Sequence, residues 1–166
     1  MADPFEVLGL PRAWNVTVAE IRAAQRKCSI AAHPDRHTDL LSRLNAVQTS
    51  SRINAAAGEL LDPLLRGNAI LQSLAPEPRP QEPKQTPLFL MRMMDLREAV
   101  DGAGENAQAR RDIANEVTAE LRAIELETDT AMCALITRPQ VETWTAAFDA
   151  LNRFRAMRRA HNECAQ

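Results

Sequence analysis

The sequence predicts an all-α protein made of two helical segments. Three observations carry that reading. Apolar residues recur at spacings of three and four along most of the chain. No stretch alternates apolar and polar residues as a half-buried strand does, and tyrosine is absent altogether. Five of the ten prolines fall within residues 76–87, which divides the chain into two halves.

Each element has its own local signals. Asp3-Pro4 supplies an N-cap and first residue for a short helix carrying Phe5, Val7 and Leu8, and Gly9 with Leu10-Pro11 stops it. Thr17 and Glu20 stand at capping-box spacing and open a second helix. Its apolar face is expected to hold Val18, Ile21, Ala24, Cys28 and Ala31. A third helix follows, with Leu40, Leu44, Val47, Ile53, Ala57 and Leu60 expected inward, and the two should pack as an antiparallel hairpin. Asp62-Pro63 repeats the cap-and-proline start, for a fourth helix with Leu64, Gly67, Leu71 and Leu74 inward.

The proline-dense stretch cannot continue a helix and has little to bury, so it reads as a semi-rigid connector. Beyond it, Leu88 to Val100 predicts a helix bounded by Pro87 and by Asp101-Gly102-Ala103-Gly104. A long helix from about Asn106 to Ile136 should turn Ile113, Val117, Leu121, Ile124, Met132 and Leu135 inward, until Arg138-Pro139 ends it. A last helix carries Trp144, Phe148, Leu151 and Phe154 as an apolar stripe, most simply core. Short loops between these three helices predict an antiparallel bundle.

The bulk numbers narrow the function. The 166 residues suffice for one ordinary domain or two small ones, and 45% apolar with 25% charged residues suits a folded, soluble chain. A formal charge of −2 gives no field to draw nucleic acid or an anionic membrane, and residues 1–74 hold eight Lys and Arg against seven Asp and Glu. No apolar run reaches membrane-spanning length, and no signal-peptide pattern opens the chain. Cys28, Cys133 and Cys164 lie far apart without metal-ligand spacing, so zinc and a disulfide framework are not expected. Reduced thiols fit the cytoplasm best, or the mitochondrial matrix if a transit segment has been removed. No cofactor is expected, and no nucleophile, phosphate loop or metal constellation points to an enzyme.

The tripeptide His33-Pro34-Asp35 sits between the second and third helices. Proline removes a backbone donor and pushes the preceding residue out of helical geometry, so these residues form a stiff polar loop tip. In this setting they resemble the signature of J-domain co-chaperones, which stimulate ATP hydrolysis by Hsp70-type chaperones. The opening Asp3-Pro-Phe-Glu-Val-Leu-Gly-Leu-Pro11, the run Asn45 to Asn54 and Leu61-Asp-Pro-Leu-Leu-Arg66 narrow the likeness. So do Phe89-Leu-Met-Arg-Met-Met-Asp-Leu-Arg-Glu98 and Glu142-Thr-Trp144. Together they resemble the HscB family, the J-type co-chaperones of iron–sulfur cluster assembly, over nearly the whole chain.

The resemblance implies a J-domain at 1–75, a proline-rich linker at 76–87 and a helical scaffold-binding domain at 88–166. It implies docking of the first domain on a specialised Hsp70 (HscA or a DnaK-like equivalent) and of the second on the cluster scaffold IscU. His33, Pro34, Asp35, Arg22, Arg26, Lys27 and Arg36 are the implied Hsp70-binding residues; the alternative for the charges is a solvated helix face. Leu90, Met91, Met94, Asp95 and Glu98 are the implied scaffold-binding residues; from periodicity alone they could equally fill the bundle core. Two rivals stay open: a J-domain adaptor for another client, and a degenerate J-like adaptor without ATPase stimulation. Four positions depart from the family. Ala32 stands in place of tyrosine before the loop, and His37 in place of an aromatic after it. Gly102 replaces an acidic residue and Ala156 an aromatic, both near the scaffold site.

Overall fold

In the computed structural model, which describes residues 2–33 and 39–164, the chain divides into two compact units, Met1–Ser73 and Leu74–Gln166. The described residues form seven α-helices and no strand.

The first unit is a helical hairpin with a short helix at each end. Helix α1 (Pro4–Leu8) begins where the Asp3 carboxylate accepts from the Phe5 N–H at 2.9 Å, and ends at Gly9 with φ +64°, a left-handed cap that glycine adopts without strain. Helix α2 (Val18–Ala31) opens on the expected capping box. The Thr17 hydroxyl accepts from the Glu20 N–H at 3.2 Å, and the Glu20 carboxylate accepts from the Thr17 N–H at 2.8 Å and the Thr17 hydroxyl at 2.6 Å. Helix α3 (Leu40–Leu61) starts on Asp39, whose carboxylate accepts from the Ser42 N–H at 2.8 Å. Helix α4 (Pro63–Ser73) starts on Asp62 in the same manner, accepting from Leu64 N–H at 2.7 Å.

The hairpin is antiparallel. Gln25 donates to Asn54 at 3.0 Å, and the Ser50 hydroxyl to the Ala32 carbonyl at 3.4 Å, so residues advance on α2 as they recede on α3. Its core is Phe5, Leu8, Trp14, Ile21, Ile53, Ala57, Leu60 and Ile70. Arg66 is also buried: its guanidinium lies over the Trp14 ring, 5.5 Å from the centroid, and donates to the Val16 carbonyl at 2.5 Å. One arginine thus holds the α1–α2 connection against α4 by packing and by a charge-assisted bond.

The expected inward residues of α3 need correction. Leu40, Leu44 and Val47 are 72%, 52% and 55% exposed, and the buried stripe runs through Ala46, Ile53, Ala57 and Leu60. The reason lies in the spacing: Val47 to Ile53 is a step of six, which no single helical stripe makes. Ala46, Ile53, Ala57 and Leu60 share one side of α3, and Leu40, Leu44 and Val47 fall on another. On α2, Val18 at the first turn and Ala31 at the last are likewise exposed, leaving Ile21 buried and Ala24 and Cys28 half-buried.

The second unit is a three-helix bundle of α5 (Pro87–Ala103), α6 (Ala107–Thr137) and α7 (Val141–Cys164). Helix α5 runs past the glycine expected to stop it and ends at Gly104, φ +49°. Helices α6 and α7 are antiparallel and close, because small residues face each other. Thr128, fully buried, donates its hydroxyl to the Ile124 carbonyl at 2.7 Å and approaches the Ala150 carbonyl at 3.3 Å, with Ala147 and Ala150 buried alongside. Trp144, Leu151, Phe154, Met157, Val117, Ile124, Met132 and Leu135 complete the core, and Phe148 stacks half-buried on Trp144 with centroids 5.0 Å apart. The proline-dense stretch is less bare than its composition suggests. Arg79 lies over the Trp144 ring at 5.6 Å, and Gln85 donates to Asp149 at 3.5 Å.

Two outcomes follow from these caps and anchors. Arg66→Ala leaves the buried Val16 carbonyl without its donor and strips a lid from Trp14, so it should cost the first unit about 2–3 kcal/mol, read by urea unfolding at α3 amide signals. Glu20 is held below the ordinary carboxylate range, first by the Thr17 hydroxyl and then by the Thr17 N–H. Its folded pKa lies below its unfolded one, so its contribution is complete above the ordinary range and drains away as pH falls through the folded value. Amide protection factors in the first turn of α2, taken against the intrinsic exchange rate at each pH, should therefore fall on acidification, and Glu20→Gln should remove that loss of protection.

Candidate functional site

The residues singled out in the first unit lie along α2 and its C-terminal end. Arg22, Arg26 and Lys27 are all exposed, on the side of α2 that Ile21 and Cys28 do not occupy. Helix α2 closes with the Ala32 N–H donating to the Cys28 carbonyl at 3.0 Å, and His33 follows, exposed. Pro34, Asp35, Arg36 and His37 lie outside the described residues.

Beside this end of α2 is an open groove of about 430 Å³ lined by Val7, Cys28, Ala31, Ala32, Thr49, Arg52 and Ile53. Ala32 is one of its walls, so the small residue noted before the loop leaves space there. The Cys28 thiol points to the Val7 and Leu8 carbonyls at 3.9 and 3.7 Å, a weak tether between α2 and α1.

In the second unit the singled-out residues share one side of α5. Leu90, Met91 and Met94 are 50%, 61% and 63% exposed, and Asp95 and Glu98 are exposed beside them. Leu88 adds to the same apolar surface. The opposite side of α5 is committed to the bundle. Leu96 is buried, and Phe89, Met93 and Val100 are half-buried. Arg92 reaches α6, where its guanidinium pairs with Glu120 and, at 2.5 Å, with Glu116. These carboxylates, the bond to Glu120 foremost, raise the Arg92 pKa further and keep the side chain charged. Core filling therefore does not account for the α5 methionines at 91 and 94: they stand in water.

Sequence reasoning missed Arg92, whose place inside the Phe89 to Glu98 run hid a bundle anchor among binding candidates. It also missed a cleft of about 570 Å³ between α5 and α7, where Ala156 is one lining residue. Two small residues four apart on α7, Ala156 and Ala160, were the available signal. Cys133 is exposed and Cys164 buried; burial first, then the neighbouring Asp129 and Glu163 charges respectively, push both thiols up. Among the described residues no group of His, Cys, Asp and Glu could hold a metal ion, and no helix is long and apolar enough to cross a membrane.

Comparisons with known proteins agree with this architecture. A protein-family profile described as the HSCB C-terminal oligomerisation domain matches residues 85–164. A co-chaperone protein HscB homolog from Cupriavidus taiwanensis is 32% identical over 81% of this chain and 77% of its own length. Another from Haemophilus influenzae is 28% identical over 93% of this chain and 88% of its own. Among solved structures, the chaperone HscB from Vibrio cholerae matches with a TM-score of 0.74 at 26% identity, covering 99% of this chain and 96% of that one. Human co-chaperone protein HscB matches in fold, with a TM-score of 0.77 at 20% identity over 99% of this chain and 81% of its own.

Proposed function

The chain belongs to the HscB family of co-chaperones, and on that premise we propose that it binds the iron–sulfur scaffold protein IscU through the outer face of α5, delivers it to a specialised Hsp70 (HscA or a DnaK-like chaperone) and stimulates that chaperone's ATPase. The observation that carries the reading is the division of α5. One side is locked to the bundle by Leu96 and the Arg92 pairs, and the other leaves Leu90, Met91 and Met94 exposed between Asp95 and Glu98. A helix with an apolar stripe in water is a surface awaiting a partner. Methionine suits an irregular partner, because its unbranched thioether adapts to the shape it meets. Asp95 and Glu98 then set orientation and exclude wrong partners more than they add affinity.

The Hsp70 end works by a different chemistry. Arg22, Arg26 and Lys27 stand exposed on the helix that leads to His33, which supports docking on an acidic chaperone surface. Their contribution is to encounter rate and salt dependence. By the family resemblance, the Asp35 carboxylate accepts charge-assisted bonds from a chaperone arginine. Arg36 adds to the same basic set. Hydrolysis then closes the Hsp70 on the scaffold and promotes transfer of its cluster, while the co-chaperone makes and breaks no bond. We place this work in the bacterial cytoplasm, a reading supported by the bacterial relatives.

Asp35→Asn should abolish ATPase stimulation while scaffold affinity survives; undiminished stimulation in a steady-state phosphate-release assay removes the J-domain role. Met91→Ala combined with Met94→Ala should weaken IscU binding at least about tenfold in calorimetry, with the helical circular dichroism retained. Unchanged affinity would take the α5 face out of the interface.

A further inference from the structure

We propose that the basic, apolar outer face of the first unit docks on the acidic, apolar outer face of α5 in a second copy of this chain, so that copies mask one another until a partner takes α5. The first face is built on the hairpin. On α3, Leu40, Leu44 and Val47 stand exposed at spacings of four and three, and Ser51 and Asn54 carry the same stripe on by four and three. Asn54 accepts from Gln25 of α2 at 3.0 Å. That bond sets the stripe beside the part of α2 that bears Arg22 and Arg26, three positions before Gln25 and one after it. Ile30 follows Arg26 by four and is exposed as well. Arginines and large aliphatic side chains therefore share this side of the hairpin, while Ile21 on α2 and Ile53 and Leu60 on α3 turn to the core.

The α5 face has the same build with the opposite sign. Leu90, Met91 and Met94 are exposed, and the carboxylates of Asp95, Glu98 and Asp101 stand exposed with them against the single guanidinium of Arg97. Arg22 and Arg26 are four apart and Asp95 and Glu98 three apart, each about one helical turn, so packed helices can match both charges at once. Charge then selects the occupant. Two first-unit faces would bring arginines together, and two α5 faces would bring carboxylates together; only the unlike pairing covers apolar surface and joins opposite charges. A hairpin face on one helix makes a small contact of the weak, transient class, which a competitor can displace.

Displacement has a consequence that rests on the reading of α5 as the scaffold face and of α2 as the chaperone face. A scaffold that takes Leu90, Met91 and Met94 expels the first unit of the other copy and frees its Arg22 and Arg26. Cargo loading and chaperone docking are then coupled by mass action, with no change of shape inside either unit.

The test is sedimentation velocity of the full chain over a range of protein and salt concentrations. The unsubstituted chain should associate as its concentration rises and disperse as salt is added. Arg22→Glu with Arg26→Glu, and separately Asp95→Arg with Glu98→Arg, should each abolish association, with the helical circular dichroism retained. An equimolar mixture of these two variants should restore it, because the mixture offers one native and one exchanged pairing. Between methyl-labelled and unlabelled copies, the Met91 and Met94 methyls should gain intermolecular nuclear Overhauser contacts to leucine and valine methyls. Sedimentation independent of concentration overturns the proposal. So does association that survives either charge reversal, or a mixture of the variants that stays monomeric. An IscU-type scaffold added to the unsubstituted chain should disperse the copies. A scaffold that binds while the copies stay joined, with the charge exchange holding, supports the pairing and defeats instead the reading of α5 as the scaffold face.

Discussion

Leu96 buried in the bundle and Arg92 paired with Glu116 and Glu120 of α6 go with one rotation of α5, the rotation that leaves Leu90, Met91 and Met94 in water. Helix α5 is apolar around much of its circumference, and Leu96 alone of its residues is buried. Phe89, Met93, Leu96 and Val100 turn to the bundle, and the Arg92 fork reaches two carboxylates on α6 from the same side of the helix. Isolated surface pairs add little stability. This one is half-shielded and doubly accepted, and it goes with the same rotation of the helix.

In the first unit the described residues are packed unevenly. Phe5, Leu8, Ile21, Leu60 and Ile70 are almost fully buried in its core, and Arg66 lies over Trp14. Toward His33 the filling thins to Cys28, Ala31 and Ala32 beside a groove, and the ties become single hydrogen bonds such as Ser50 to Ala32. Among the described residues the side chains near His33 are thus smaller and less buried than those around Arg66.

Much of this was legible in the sequence, since caps and proline starts are local. Asp3, Thr17 and Asp62 were read as helix starts and Asn106 as the approximate start of α6, whereas the caps Asp39 and Thr86 went unread; the hydrophobic spacings of α6 and α7 named most of their core. The outer half of α3 was misread because Leu40, Leu44 and Val47 form a helical stripe of their own, and a periodic pattern does not say which of two stripes meets a neighbour. Thr128 was passed over because it is polar, although its hydroxyl is satisfied within its own helix. The α5 face was legible as a candidate only. Its exposure goes with contacts on the other side of the helix, Arg92 to Glu116 and Glu120 among them, residues 24 and 28 positions away, and no local pattern encodes that meeting. The α5–α7 cleft depends on two alanines facing leucine and valine across a gap, a property of packing rather than of order along the chain.

The placing of the two tryptophans carries a practical consequence. Trp14 belongs to the first unit and Trp144 to the second; both are buried, and each has an arginine lying over its ring. Tyrosine is absent, so near-ultraviolet emission comes from these two indoles. The chain thus carries one intrinsic optical reporter per unit. Replacing either with phenylalanine leaves a single lamp, by which the melting of one half can be watched without a dye.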